Sequence, residues 1–145
     1  MENKSNEATP QRPEGDRMLD APLVEMDLNK LVLQIKGETA WEEADHNAIT
    51  IFKSDLMRIV LMGMNKNAEL KTHTAKGTIS VQVIAGKINF TANDNTVSME
   101  AGQMLVLHEK IPHSVLALTE SFFLLTLTMS KSYITSTHPD HLPNR

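Results

Sequence analysis

The stretch Glu69–Phe90, ELKTHTAKGTISVQVIAGKINF, decides how the rest of the chain is read. A short polar run ends at His73, and a glycine-containing turn, Ala75-Lys76-Gly77-Thr78, follows it. Ile79, Val81 and Val83 then alternate with Ser80 and Gln82 until Ala85-Gly86 stops the run. β-Branched residues at period two mark a strand with one buried face, and a glycine after them marks a turn. If Ile79 looks inward, Val81 and Val83 share its face, while Ser80 and Gln82 take the other. A second stretch, Glu100–Ala117, EAGQMLVLHEKIPHSVLA, answers the first. Gly102 opens the apolar run Met104–Leu107, His108-Glu109-Lys110 breaks it, and Pro112 places His113 at the head of a further strand.

Working outward from these two stretches, short strands are expected at Asn47–Ser54, Leu56–Met64, Glu69–Thr74, Thr78–Ala85, Lys87–Thr91, Thr96–Met99, Gln103–Leu107, Ser114–Leu118 and Ser121–Met129. The turn Ala92-Asn93-Asp94-Asn95 is hairpin chemistry, because Asn and Asp tolerate the left-handed backbone region. Val24, Leu28, Leu31 and Ile35 recur near helical spacing and Gly37 follows, which predicts one amphipathic helix over about 22–36. Many short strands with the helix confined to the N-terminal side predict an all-β fold, a jelly-roll barrel of two antiparallel sheets. The domain is expected over 21–130. Residues 1–20 read as a flexible tail and 131–145 as a polar arm, since neither has enough apolar surface to offset the entropy of ordering.

Length and composition narrow the function. A chain of 145 residues is expected to form one domain, since single cores serve about 100–200 residues. Its net charge of -4, with Lys and Arg scattered, gives no basic face for a phosphate backbone, so no nucleic-acid partner is expected. The chain has no cysteine, which removes disulfides, thiolate nucleophiles and Cys-ligated metals. Its start lacks the apolar core of a secretory signal, and no apolar run nears the ~18–20 residues of a membrane span, so a cytoplasmic protein without a membrane partner is expected. Hydrolase elbows, phosphate loops and dinucleotide glycine clusters are missing as well.

The two stretches resemble the motifs of the small single-domain cupins, of the cupin-2-like kind, over roughly Met57–Thr128. With Gly86 as the closing glycine of the first motif, His73 falls on the first of its paired histidines. Ala75 then falls on the second histidine and Ile79 on the glutamate, so the first motif is degenerate. With Gly102 opening the second motif, His113 falls on the third histidine, and His108 and Lys110 stand where the loop's proline and glycine would be. The resemblance thus implies His73 and His113 as metal positions, with an incomplete ligand set for one divalent Fe, Mn, Ni or Zn ion. It also implies a homodimer through Asn47–Met64.

Two functions follow as expectations. In the first, the barrel holds a small organic ligand without a full metal site, in a pocket formed by His73, His113, Ile79, Val81, Met62 and Met104. Met64 and Leu107 are further candidates for an apolar wall, since methionine fills irregular apolar space. The alternative is a divalent-metal enzyme of dioxygenase or isomerase type using His73 and His113. His108 is read as a surface loop residue, His46 as part of a polar connection, and His138 and His141 as solvated. Glu42, Glu43 and Asp45 read as a solvated acidic face beside Trp41.

Overall fold

In a computed structural model, residues 4–6 and 17–129 are described. Two short strands, β1 (Lys4–Asn6) and β2 (Arg17–Asp20), pair with each other, and two helices follow, α1 (Leu28–Gly37) and α2 (Thr39–Glu43). Among the described residues nine further strands follow: β3 (His46–Lys53), β4 (Met57–Met64), β5 (Glu69–His73), β6 (Ile79–Ala85), β7 (Lys87–Ala92), β8 (Asn95–Glu100), β9 (Met104–Leu107), β10 (His113–Ala117) and β11 (Ser121–Thr128). Each of these nine begins and ends within one residue of its expected limits, because alternation and turn chemistry agree along this part of the sequence.

The nine strands form two antiparallel sheets, in the orders β5-β10-β7-β8 and β3-β4-β11-β6-β9. This is the expected jelly-roll barrel. Strand β6 shows its logic: Ile79, Val81 and Val83 are buried between the sheets, and Ser80 and Gln82 face away. They pack there with Met64, Ile88, Phe90, Met99, Val115 and Phe123. A second cluster lies on the outer face of the five-stranded sheet, where Ile35 of α1 meets Ile49, Ile51, Leu61 and Phe122. The outer face of β3–β4 is therefore packed by the chain's own helices. Among the described residues no helix is long and apolar enough to cross a membrane.

Four expectations about the N-terminal region need correction. The helix starts at Leu28 rather than near Pro22, because the Asp27 side chain accepts hydrogen bonds from the backbone N–H groups of Asn29 (3.0 Å) and Lys30 (3.2 Å) and so fixes the first turn. Gly37 is the last helical residue and not a left-handed cap; the cap is the extended Glu38. The polar connection around Trp41 is the short helix α2, held by Trp41 stacking on Phe122 at 5.6 Å. The described part of the expected tail is also ordered: Arg17–Asp20 is a strand beside β3, and Leu19 is buried there. The expected C-terminal arm, 131–145, lies outside the described residues, as do His138 and His141.

Two glycines close the turns that define the barrel. Gly86 (φ 86°) and Gly102 (φ 89°) both lie in the left-handed region. A Cβ on Gly86 would also run into the Glu120 carbonyl oxygen and Ser121, whereas one on Gly102 would meet open space. Gly102→Ala is expected to cost about 1 kcal/mol, the backbone term alone. Gly86→Ala should cost at least twice as much. Equal losses in denaturant unfolding would contradict the close packing assigned to the β6–β7 turn.

Candidate functional site

The site follows from strand register. β10 lies between β5 and β7, and its first residue, His113, stands opposite His73 on one side and Ala92 on the other. The two imidazoles meet edge to face with centroids 4.3 Å apart, and the His113 ring also stacks on Phe90 at 5.5 Å and 11°. The two histidines expected to converge therefore do so, across 40 residues of sequence. His113 is buried and His73 is exposed at the rim.

Each ring is held by its own strand. The Nδ1–H of His73 donates to the Lys71 carbonyl at 2.8 Å, and that of His113 donates to the Ile111 carbonyl at 2.9 Å. A carbonyl can only accept, so each Nδ1 carries the hydrogen and each Nε2 of the neutral ring keeps its lone pair. Burial holds the His113 pKa below its ordinary value of 6.5; the bond to Ile111 opposes this and neighbouring His73 adds to the lowering.

The pair opens on a cavity of about 400 Å³. Its lining comes from the connection after β5 (Thr74, Ala75, Lys76, Gly77), from Ile79, and from the end of β11 (Leu125, Leu127, Thr128) with Met129. That connection is fixed at both ends. The Thr128 N–H and hydroxyl donate to the Thr78 carbonyl at 3.0 and 3.1 Å, and the Lys110 N–H donates to the Ala75 carbonyl at 2.8 Å. Gly77 lies so close to Thr128 that a Cβ there would strike its carbonyl oxygen. Lys110 has a φ of 66°, so the position expected to match a loop glycine keeps the glycine-like backbone under a different side chain.

Of the residues expected to form the pocket, His73, His113 and Ile79 line it together. Val81 does not: it pairs with Leu125 one step deeper and is sealed in the core. Met62 packs against the inter-sheet core, as Met64 does, and Leu107 also packs there. Met104 lies on the outside, 56% exposed, because it pairs with outward-facing Gln82; its neighbours Leu105 and Leu107 are the ones that turn in. His108 is exposed in its loop and takes no part in the cavity, and His46 bonds Asp45 at 2.8 Å elsewhere on the surface. The contribution of Leu125, Leu127 and Thr128 was missed; their alternation in the last strand was visible, but which cavity it faces depends on the pairing of β11 with β6. A separate hollow of about 410 Å³, between Met18, Leu23, Leu31 and Ile51, holds no imidazole.

The donor set does not suit a resident metal ion. Catalytic sites use about three protein ligands and structural ones four. Among the described residues no group of three or more His, Cys, Asp or Glu side chains converges. Ala75 and Ile79, which line the same cavity, have nothing to coordinate with.

A two-sheet antiparallel barrel with a histidine pair at its mouth has the cupin fold, and known structures agree. The chain is similar to a cupin superfamily protein from Desulfitobacterium hafniense DCB-2 (TM-score 0.58, 13% identity, 60% of this chain and 80% of that one). It is also similar to a cupin-2 domain protein from Shewanella frigidimarina NCIMB 400 (0.58, 14%, 71% and 93%). Salicylate 1,2-dioxygenase from Pseudoaminobacter salicylatoxidans is similar over 77% of this chain but only 32% of its own (0.56, 21%). At such identities the likeness establishes the fold. No protein-family model matches the chain, and no curated protein sequence does.

The lowered pKa of His113 has a sign that unfolding can read. The unfolded state takes up a proton on this residue near pH 6.5, before the folded state does, so stability falls as pH drops through that value. Unfolding measured at pH 7.5 and 5.5 should show a loss in the wild type that is smaller in His113→Gln. A pH dependence unchanged by the substitution would remove the burial assigned to this ring.

Proposed function

We propose that this cupin-fold chain binds a small organic molecule in the cavity at the barrel mouth, using His73 and His113 directly and no resident metal. The observation that carries this reading is the pairing of two anchored imidazoles with a cavity of about 400 Å³ whose other walls are largely apolar. Small-molecule sites are commonly concave and apolar with a few fixed polar groups, and this arrangement has that form. Ala75 and Ile79 turn two positions that could have held a cation into wall. His113, kept neutral by burial, can accept a proton or a hydrogen bond from a ligand at neutral pH.

The metal part of this reading is tested by elemental analysis of untagged protein together with titration of Zn²⁺, Mn²⁺, Ni²⁺ and Fe²⁺. Native protein is expected to carry well below one metal ion per chain and to bind none tightly. The double variant Ala75→His/Ile79→Glu should then gain affinity for a divalent ion by about a hundredfold or more, since it raises the donors from two to four. Its metal-free form should lose roughly 1–3 kcal/mol of stability, because a carboxyl replaces buried Ile79. Stoichiometric metal in the native protein, lost on His73→Ala, would overturn the reading in favour of the metal enzyme.

A further inference from the structure

What kind of molecule the pocket takes can be read from the tautomer of its two rings, an argument that rests on the binding function just proposed. Both Nδ1–H groups are used on backbone carbonyls, so both rings turn lone pairs, not hydrogens, outward at Nε2. Among the described residues only Asp20 Oδ1 and Arg58 Nε are buried side-chain polar atoms without a partner. Both rings line the cavity, and with each Nδ1–H held on the protein side, Nε2 is the ring nitrogen left for a ligand. A ligand therefore meets two acceptors side by side, beside an apolar wall of Ile79, Leu125, Leu127 and Met129.

A free carboxylate suits this poorly, since it has only acceptors to offer to two lone pairs. A purely apolar molecule would strip water from both nitrogens without replacing it, which costs free energy. We propose that the pocket takes a compound bearing two neighbouring hydroxyl groups on an apolar frame, a diol or enediol, with each O–H donating to one Nε2. Lys76 is the single cation lining the cavity among the described residues, and an ammonium can donate to the lone pairs that such hydroxyl oxygens retain. No carboxylate of the described lining competes for the hydroxyl hydrogens.

The test is a graded series on one frame, titrated with a chelator present: catechol with two O–H groups, 2-methoxyphenol with one, and 1,2-dimethoxybenzene with none, alongside benzoate. Catechol is expected to bind at least about tenfold tighter than the dimethoxy compound, with 2-methoxyphenol between them, since each lost donor leaves an acceptor bare. The grading should shrink in His73→Phe, a change at an exposed rim residue, and persist in His108→Ala. Equal affinity across the aromatic series would overturn the diol assignment while leaving a pocket that binds apolar molecules. Tighter binding of benzoate would overturn it in favour of an anion site. If none of the four compounds binds or moves the imidazole NMR signals at millimolar concentration, the diol assignment fails.

Discussion

The pairing of β10 with β5 on one side and β7 on the other is the constraint on which the site depends. It sets His113 opposite His73 and lets its ring lie against Phe90, at the point where the four-stranded sheet meets the barrel mouth. A one-residue slip in this register would turn His113 to the other face and end the pair. The register is defended from several directions. Val115 and Ala117 are buried on the same face of β10, and Pro112 just before it accepts a hydrogen bond from the Asn93 N–H at 3.2 Å.

Backbone geometry does the rest of the positioning. The connection Thr74–Thr78 forms one wall of the cavity because it is tied to β11 through Thr128 and to the loop before β10 through Lys110. Lys110 accepts the strain of a positive φ to make that tie. The cavity is thus built from segments that the sheets hold at both ends, which suits a preformed pocket in which recognition costs little ordering. Ala75 and Ile79 line that pocket and offer no atom for coordination.

The fold was legible because its signals are local. Alternation in Ile79–Val83, the Asn93-Asp94 turn, the stop at Gly86 and the opening at Gly102 each act within a few residues, and together they fix strand after strand. The convergence of His73 and His113 was legible only through the resemblance of motifs, since nothing local brings two strand ends together. What escaped was set by pairing. Met104 sits in a strand as expected, yet its partner Gln82 points out, and membership of a strand does not reveal the face. Leu125 and Leu127 could not be assigned to the cavity before β11 was known to lie between β4 and β6. The strand Arg17–Asp20 escaped because it is four residues long and buries one apolar side chain, Leu19, beside the polar Asp20, too short a run for any period to show.

The central claim is that both imidazoles are anchored through Nδ1–H and turn Nε2 toward the cavity. It is tested most directly by a long-range proton–nitrogen correlation spectrum of protein labelled with ¹⁵N-histidine, recorded at neutral pH with a chelator present. The account predicts that His113 appears as a neutral ring with its hydrogen on Nδ1 and that His73 carries a hydrogen on Nδ1 as well. A His113 protonated on Nε2 alone, with Nδ1 bare, would contradict the anchoring and the binding chemistry drawn from it.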